Sequence, residues 1–177
     1  MHDFGMGDHV ELRPAAEVDL LLLEKLTWDP AVTGEFAQFG WFDLRMWRRQ
    51  WVENKLIDDD GGVLMVVRGN ERLGFVNWHR QPSTPAASYW EIGIALLPEA
   101  GGHGYGTQAL RLLGRYLFAH TTAHRIEATI EAGNVASRRA VEKAGFTQEG
   151  VLRESGWRDG AWRDGVIYSL LRTDPPA

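Results

Sequence analysis

Apolar positions along the chain keep two periods, and the switches between them mark out the elements. Val10 to Arg13 reads as a short strand stopped by Pro14. Glu17 to Trp28 is rich in leucine and reads as a helix closed by Asp29-Pro30. An aromatic stretch follows, and its second half fits a helix opening near Asp43, with Trp47 and Trp51 on one face. "GVLMVVRGNERLGFVNWHR" has β-branched residues on both sides of Gly69-Asn70, which predicts a hairpin. "ASYWEIGIAL" is a further strand, ending before Pro98. Thr107 to Ala119 carries Leu110, Leu113 and Leu117 as a helical stripe, with Gly114 marking a closely packed spot. "HRIEATIE" reads as a strand, and Asn134 caps a helix that stops at Gly145. The last stretch gives two strands joined by a polar, Gly-rich turn.

Strands come first, then the order β–α–β–α–β–β, with no repeat, linker or low-complexity tract. That order predicts one α/β or α+β domain over residues 1–177 with a mixed central sheet. Residues 1–9 and 173–177 are expected to be flexible ends.

Composition narrows the function. With 44% hydrophobic and 24% charged residues the chain is ordinary for a globular protein. A net charge of -5 gives no support for nucleic-acid binding and suits a cationic substrate such as an amine. Cysteine is absent, so there is no disulfide, thiol nucleophile or cysteine metal site. The first residues lack a basic segment followed by an apolar run, and no apolar run is long enough for a bilayer, so a soluble cytoplasmic protein is expected.

The most informative stretch is "PEAGGHGYGTQAL", Pro98 to Leu110, a glycine cluster leading into a helix. A flexible surface loop is the plain explanation. Glycines between a strand and a helix N-terminus, where N–H groups are free, fit anion binding better. A P-loop would need a lysine before Thr107, and none is there. Gly104-x-Gly106-x-x-Ala109, with Glu127 or Glu131 about twenty residues on, matches a relaxed dinucleotide fingerprint. Its long spacer after Leu97 and the short chain speak against a complete doubly wound fold.

"GGHGYG" also resembles the pyrophosphate motif of the GNAT superfamily of N-acetyltransferases, Gln/Arg-x-x-Gly-x-Gly/Ala. Gly101 stands in the Gln/Arg place and Gly104 and Gly106 in the glycine places. "NVASRRAVEKAGFTQEGVLRE" is similar to the superfamily's second cofactor segment, and "WRDGVIYSLL" to the last strand of the ribosomal-protein N-terminal acetyltransferase branch. The resemblance implies a mostly antiparallel mixed sheet of about seven strands flanked by about four helices. It also implies acetyl-coenzyme A as cosubstrate, no metal, and direct transfer to the amine of a protein N-terminus or a small molecule.

By that resemblance, the loop Gly101, Gly102, His103, Gly104, Tyr105, Gly106 and Thr107 wraps the pyrophosphate, and Asn134 contacts the pantetheine amides. Arg138, Arg139 and Lys143 bring positive charge to the phosphates. Backbone N–H groups near Ile94, Ala95 and Leu96 meet the thioester carbonyl. Glu91 is the candidate base and Ser137 the candidate proton donor. Each has a plainer reading beside it: Glu91 a solvent-facing strand residue, Ser137 a hydroxyl bonding back within its helix, Asn134 a helix cap, the cations a solvated face pairing with Glu142. Two departures stand out. Gly101 lacks a long polar side chain, and Ala140 and Val141 stand where many members carry a tyrosine.

The resemblance also implies that Glu35, Phe36, Phe39 and Trp41 border the acceptor, with Trp157 and Trp162 closing the other side or supporting a homodimer. His120 and His124 lack a third ligand, so zinc is not expected. Two readings remain beside the enzyme: a noncatalytic acyl-coenzyme-A-binding or regulatory module, and, more distantly, a nicotinamide-dependent oxidoreductase.

Overall fold

The strand Gly61–Arg68 (β3) buries both of its faces. Leu64 and Val66 point one way, Val63, Met65 and Val67 the other, and all five are inaccessible. A strand of this kind needs cover on both sides, so helices must lie above and below the sheet. A computed structural model, which describes residues 9–37, 43 and 45–175, shows that arrangement.

The other strands are β1 (Glu11–Pro14), β2 (Ile57–Asp58), β4 (Glu71–Thr84), β5 (Ala87–Leu96), β6 (Arg125–Glu131), β7 (Thr147–Arg158) and β8 (Ala161–Leu171). They form one sheet in the order β1-β3-β4-β5-β6-β8-β7, with β2 beside β3. The helices are α1 (Leu20–Trp28), α2 (Pro30–Thr33), α3 (Arg45–Asn54), α4 (Tyr105–His120) and α5 (Val135–Lys143). Leu20, Leu23 and Leu26 of α1 and Trp47 of α3 pack on Val63, Met65, Val67 and Phe75. On the opposite face, Leu110, Leu113 and Leu117 of α4 and Val141 of α5 meet Leu64, Val66, Ile92, Ile126 and Val166. No helix among the described residues is long and apolar enough to cross a membrane.

Every strand pair is antiparallel except β5–β6. A single parallel pair, made by the α4 crossover, excludes the doubly wound sheet that the dinucleotide reading needs. That pair is also brief: Trp90 stands opposite Ile126 and Glu91 opposite Glu127, and there the register stops. β5 runs on to Leu96 along β4, and β6 to Glu131 along β8, so the two part in a V.

The elements expected from the sequence are all present, and the one-turn α2, the two-residue β2 and the 3-10 turns Glu35–Ala37 and Pro98–Ala100 are additions. The expected helix from Glu17 begins as a 3-10 turn over Glu17–Asp19. Asp19 explains it. Its carboxylate is fully buried, accepts from the Ala16 N–H at 2.8 Å and pairs with Arg13 at 2.7 Å, tying β1 to α1. Burial alone would raise the Asp19 carboxyl, but Arg13, the Ala16 N–H and Arg72 together hold it below its ordinary value.

Asp19→Ala is therefore expected to lower stability by about 2 kcal/mol near neutral pH, because it strands the Ala16 N–H and Arg13. A depressed carboxyl stabilises above its ordinary value and loses that contribution as pH falls through the lowered one. Urea melts should show the gap between wild type and variant narrowing as pH drops below about 4.

Candidate active site

β5 ends at Leu96, a 3-10 turn covers Pro98–Ala100, and α4 begins at Tyr105. The loop between them turns through Gly102 at φ 80° and Gly104 at φ 79°, conformations that an L side chain disfavours. The first internal bond of α4 runs from the Gln108 N–H to the Gly104 carbonyl at 3.1 Å. The preceding N–H groups of the helix end thus lie at the loop with the positive end of the helix dipole. Tyr105 anchors this end: it is buried, Arg68 lies over its ring at 5.3 Å, and its hydroxyl accepts from the Arg68 guanidinium.

The loop opens onto a cavity of about 510 Å³ that runs along the end of β5, beyond the point where β6 stops pairing with it. Gly101, Gly102, Gly104, Tyr105, Gly106 and Thr107 form one wall, and Ile94, Ala95 and Leu96 the strand edge. From α5 come Asn134, Ser137, Arg139 and Lys143, and from the other side of the sheet Glu35 and Phe36. A cradle of bare backbone, a helix N-terminus and two cations suits a pyrophosphate.

The strand edge can be read from register. Leu97 donates to the Leu73 carbonyl at 2.8 Å, so by alternation Ala95 faces Phe75 and Gly93 faces Asn77 with their main-chain groups. Ile94 and Leu96 then turn their N–H and C=O groups away from β4, into the gap that β6 has left. Of the three expected backbone donors, Ala95 is thus turned to β4 and only lines the cavity.

At the start of α5, Asn134 is a helix cap that also borders the cavity. Its Oδ1 accepts from the Ser137 N–H at 3.1 Å as a helix cap, and it lines the cavity. The Ser137 hydroxyl makes no hydrogen bond among the described residues, so the back-bonding alternative is not found. Arg138 is a correction. It turns inward, donating to the Tyr168 hydroxyl at 3.0 Å and the Ala132 carbonyl at 3.1 Å, and Arg139 takes its place on the cavity wall. Helical spacing carried this signal: residues 139 and 143 are four apart and share a face, whereas 138 and 143 do not. His103 stacks on Tyr105 at 5.4 Å and does not line the cavity.

Glu91 lies on the face opposite the buried Ile92, as alternation predicts, and outside the cavity lining. Its Oε2 is 3.2 Å from His79 Nε2 and accepts from Gln81 Nε2 at 2.9 Å. Neighbouring carboxylates are held differently. Arg125 pairs with both Glu127 and Glu149, and with Ser169 it pushes Glu149 down to about 2. Arg158 grips Glu131 through two bonds of 2.7 and 2.8 Å and holds it below the usual carboxylate range. Among these four described glutamates, Glu91 alone has no arginine or lysine partner.

Arg158 also stacks 5.3 Å over the ring of Phe36, joining the terminal hairpin to the cavity wall. Nothing in the sequence marked it. Trp157, by contrast, is more than half exposed, meets Trp162 edge-on at 5.2 Å and stays away from the cavity. Phe39 and Trp41 lie outside the described residues, as do residues 1–8 and 176–177 of the expected flexible ends.

Residues 9–147 match the family model described as the acetyltransferase (GNAT) domain. A putative ribosomal N-acetyltransferase of Bacillus subtilis is 30% identical over 128 residues, 72% of this chain and 66% of that relative. The crystal structure of a ribosomal-protein-alanine N-acetyltransferase from Brucella melitensis is 27% identical, with a TM-score of 0.75 over 91% of this chain and 99% of that one. A spermidine N-acetyltransferase from Vibrio cholerae, solved with coenzyme A and spermine, shares the fold at 18% identity and a TM-score of 0.79, over 95% and 98% of the two chains. The matched part of the chain spans 33%, 66% and 56% of the length of three curated relatives.

The loop geometry separates two substitutions. Gly104→Ala forces a side chain into the left-handed region and should cost about 1 kcal/mol. Gly106 sits in the first turn of α4 with 3.7 Å or more around an added Cβ, so Gly106→Ala should be neutral or stabilising by less than about 1 kcal/mol. Paired urea melts check both.

Proposed function

This chain belongs to the GNAT acetyltransferase family, and from that premise we propose that it transfers the acetyl group of acetyl-coenzyme A directly to an amine. The observation that carries the reading is the meeting of the glycine loop and the strand gap in one cavity. The loop N–H groups and the α4 dipole bind the pyrophosphate, aided by Arg139 and Lys143. The unpaired edge at Ile94 and Leu96 receives the pantetheine as if it were an added strand, and its N–H groups polarise the thioester carbonyl.

The amine approaches from the face that carries Glu91 and must lose a proton before it attacks. Glu91 takes that proton, through one water because it stands off the cavity wall. The nitrogen bonds to the carbonyl carbon, the carbon–sulfur bond breaks, and Ser137 gives its hydroxyl proton to the departing thiolate and takes back, through water, the proton that the new amide nitrogen sheds. The products are an amide and free coenzyme A. Holding thioester and amine together supplies several kcal/mol of the acceleration by itself.

The acceptor that the relatives favour is the α-amine of a protein N-terminus, since the two ribosomal N-acetyltransferases are 30% and 27% identical to this chain. Chemistry agrees: near pH 7 roughly one α-amine in ten is neutral, against about one lysine amine in a few thousand. That modest demand suits a single, partly exposed carboxylate such as Glu91. The relatives' names favour catalysis over a noncatalytic acyl-coenzyme-A-binding module.

Isothermal titration should show saturable binding of acetyl-coenzyme A and none of NADH. Thiol release should then be faster with an alanine-initiated peptide than with spermidine, and Glu91→Gln should lower kcat by about a hundredfold or more while leaving acetyl-coenzyme A binding unchanged. Binding without thiol release from either amine would favour the noncatalytic module. No binding at millimolar concentration would overturn the reading altogether.

A further inference from the structure

β4 carries a stripe that its apolar neighbours do not predict. Val76 and Trp78 are buried against the α4 side, while Asn77, His79 and Gln81 alternate onto the face that Glu91 shares. His79 stands directly opposite Glu91, and Gln81 opposite Tyr89. Both side chains reach the same atom, Glu91 Oε2, at 3.2 and 2.9 Å. A carboxylate oxygen only accepts, so His79 Nε2 bears the hydrogen in this contact, as Gln81 Nε2 does. Glu91 Oε1 has no partner among the described residues.

Such an arrangement orients a carboxylate by one oxygen and leaves the other open. Arginines orient Glu149 and Glu131 equally well, but they hold those carboxyls low and make them poor proton acceptors. An amide and an imidazole supply direction with no permanent charge. They also sit on a central strand, where packing fixes their backbone positions.

We infer that His79 and Gln81 are positioning residues: they hold Glu91 by Oε2 so that Oε1 is presented to the proton leaving the acceptor amine. This rests on the reading of Glu91 as the base. A purely structural cross-strand pair would have the same contacts but would not act on catalysis through Glu91.

The test is steady-state thiol release with acetyl-coenzyme A and the alanine-initiated peptide. His79→Ala and Gln81→Ala should each lower kcat about tenfold while KM for acetyl-coenzyme A stays within about twofold. His79→Gln, which retains a donor on a side chain of similar reach, should recover most of the loss. In a Glu91→Gln background His79→Ala should cost nothing further, because the group it positions is already gone. The inference is overturned by wild-type kcat in both alanine variants, or by an undiminished loss in the Glu91→Gln background. Wild-type kcat in Glu91→Gln alone would instead remove the base reading, and the inference with it. Gln81→Ala keeps the test open if His79→Ala melts early, since each contact is read separately.

Discussion

Two strands that begin as a parallel pair and separate after two residues leave main-chain donors and acceptors facing each other across a gap. Unsatisfied backbone groups away from water are costly, so an ordinary sheet would zip such a gap shut. Here each strand is committed elsewhere. β5 is registered with β4 through Leu96, and β6 with β8 through Glu131, so each strand is held by its outer partner while the inner edges diverge. The α4 crossover arrives at the open end, where its glycine loop lines the same space. A ligand that carries amides along its length and phosphates at one end can satisfy both features at once. The opening is therefore stable because the rest of the sheet is fully paired, and useful because its unpaired groups are aimed inward.

Charge is distributed around that opening in a way that separates structural from chemical carboxylates. Arg125 joins Glu127 to Glu149, and Arg158 joins Glu131 to the ring of Phe36. These pairs link β6, β7 and the segment after α2, and they hold Glu149 and Glu131 below the usual carboxylate range. Glu91 stands opposite Glu127 one strand away, but its own hydrogen bonds among the described residues go to His79 and Gln81. A base must be able to take up a proton near neutral pH, and an arginine partner works against that. The absence of such a partner around Glu91 is informative because its neighbours all have one.

Much of this was legible in the residues. Period and punctuation identified the helices, the Gly69-Asn70 hairpin and the strand before Pro98, and the loop's glycines announced both their backbone conformation and a helix end. What escaped has a common cause: it depends on which way an element faces or where a strand stops pairing. Asn134 could be assigned two roles because both arise from the same cap position. Arg138 and Arg139 are adjacent, and only the helix's orientation decides that one bonds Tyr168 while the other meets the cavity. The V is invisible because Ile92, Ile94 and Leu96 alternate identically whether or not β6 follows them. Arg158 gave no signal because the partners that bring it to the cavity wall, Glu131 and Phe36, lie far away in sequence.

Gly101 shows how the site is balanced. The superfamily pattern places glutamine or arginine there, and this chain offers no side chain at all. The backbone at Gly101 is ordinary, with φ at -68°, so conformation does not demand glycine. Space bears on it more: an added Cβ would lie 3.0 Å from the Pro98 carbonyl oxygen, because the 3-10 turn folds that oxygen beneath the loop. The cations that meet the cavity come instead from the facing wall, where Arg139 and Lys143 stand one turn apart on α5. A single side chain inside the loop would be ordered with the loop itself. On the proposed reading, two long side chains on the opposite helix must be ordered when the anion arrives, at a conformational cost that weakens binding. They act at longer range in return, so affinity in this variant of the site should depend on ionic strength more than a loop-borne glutamine would allow.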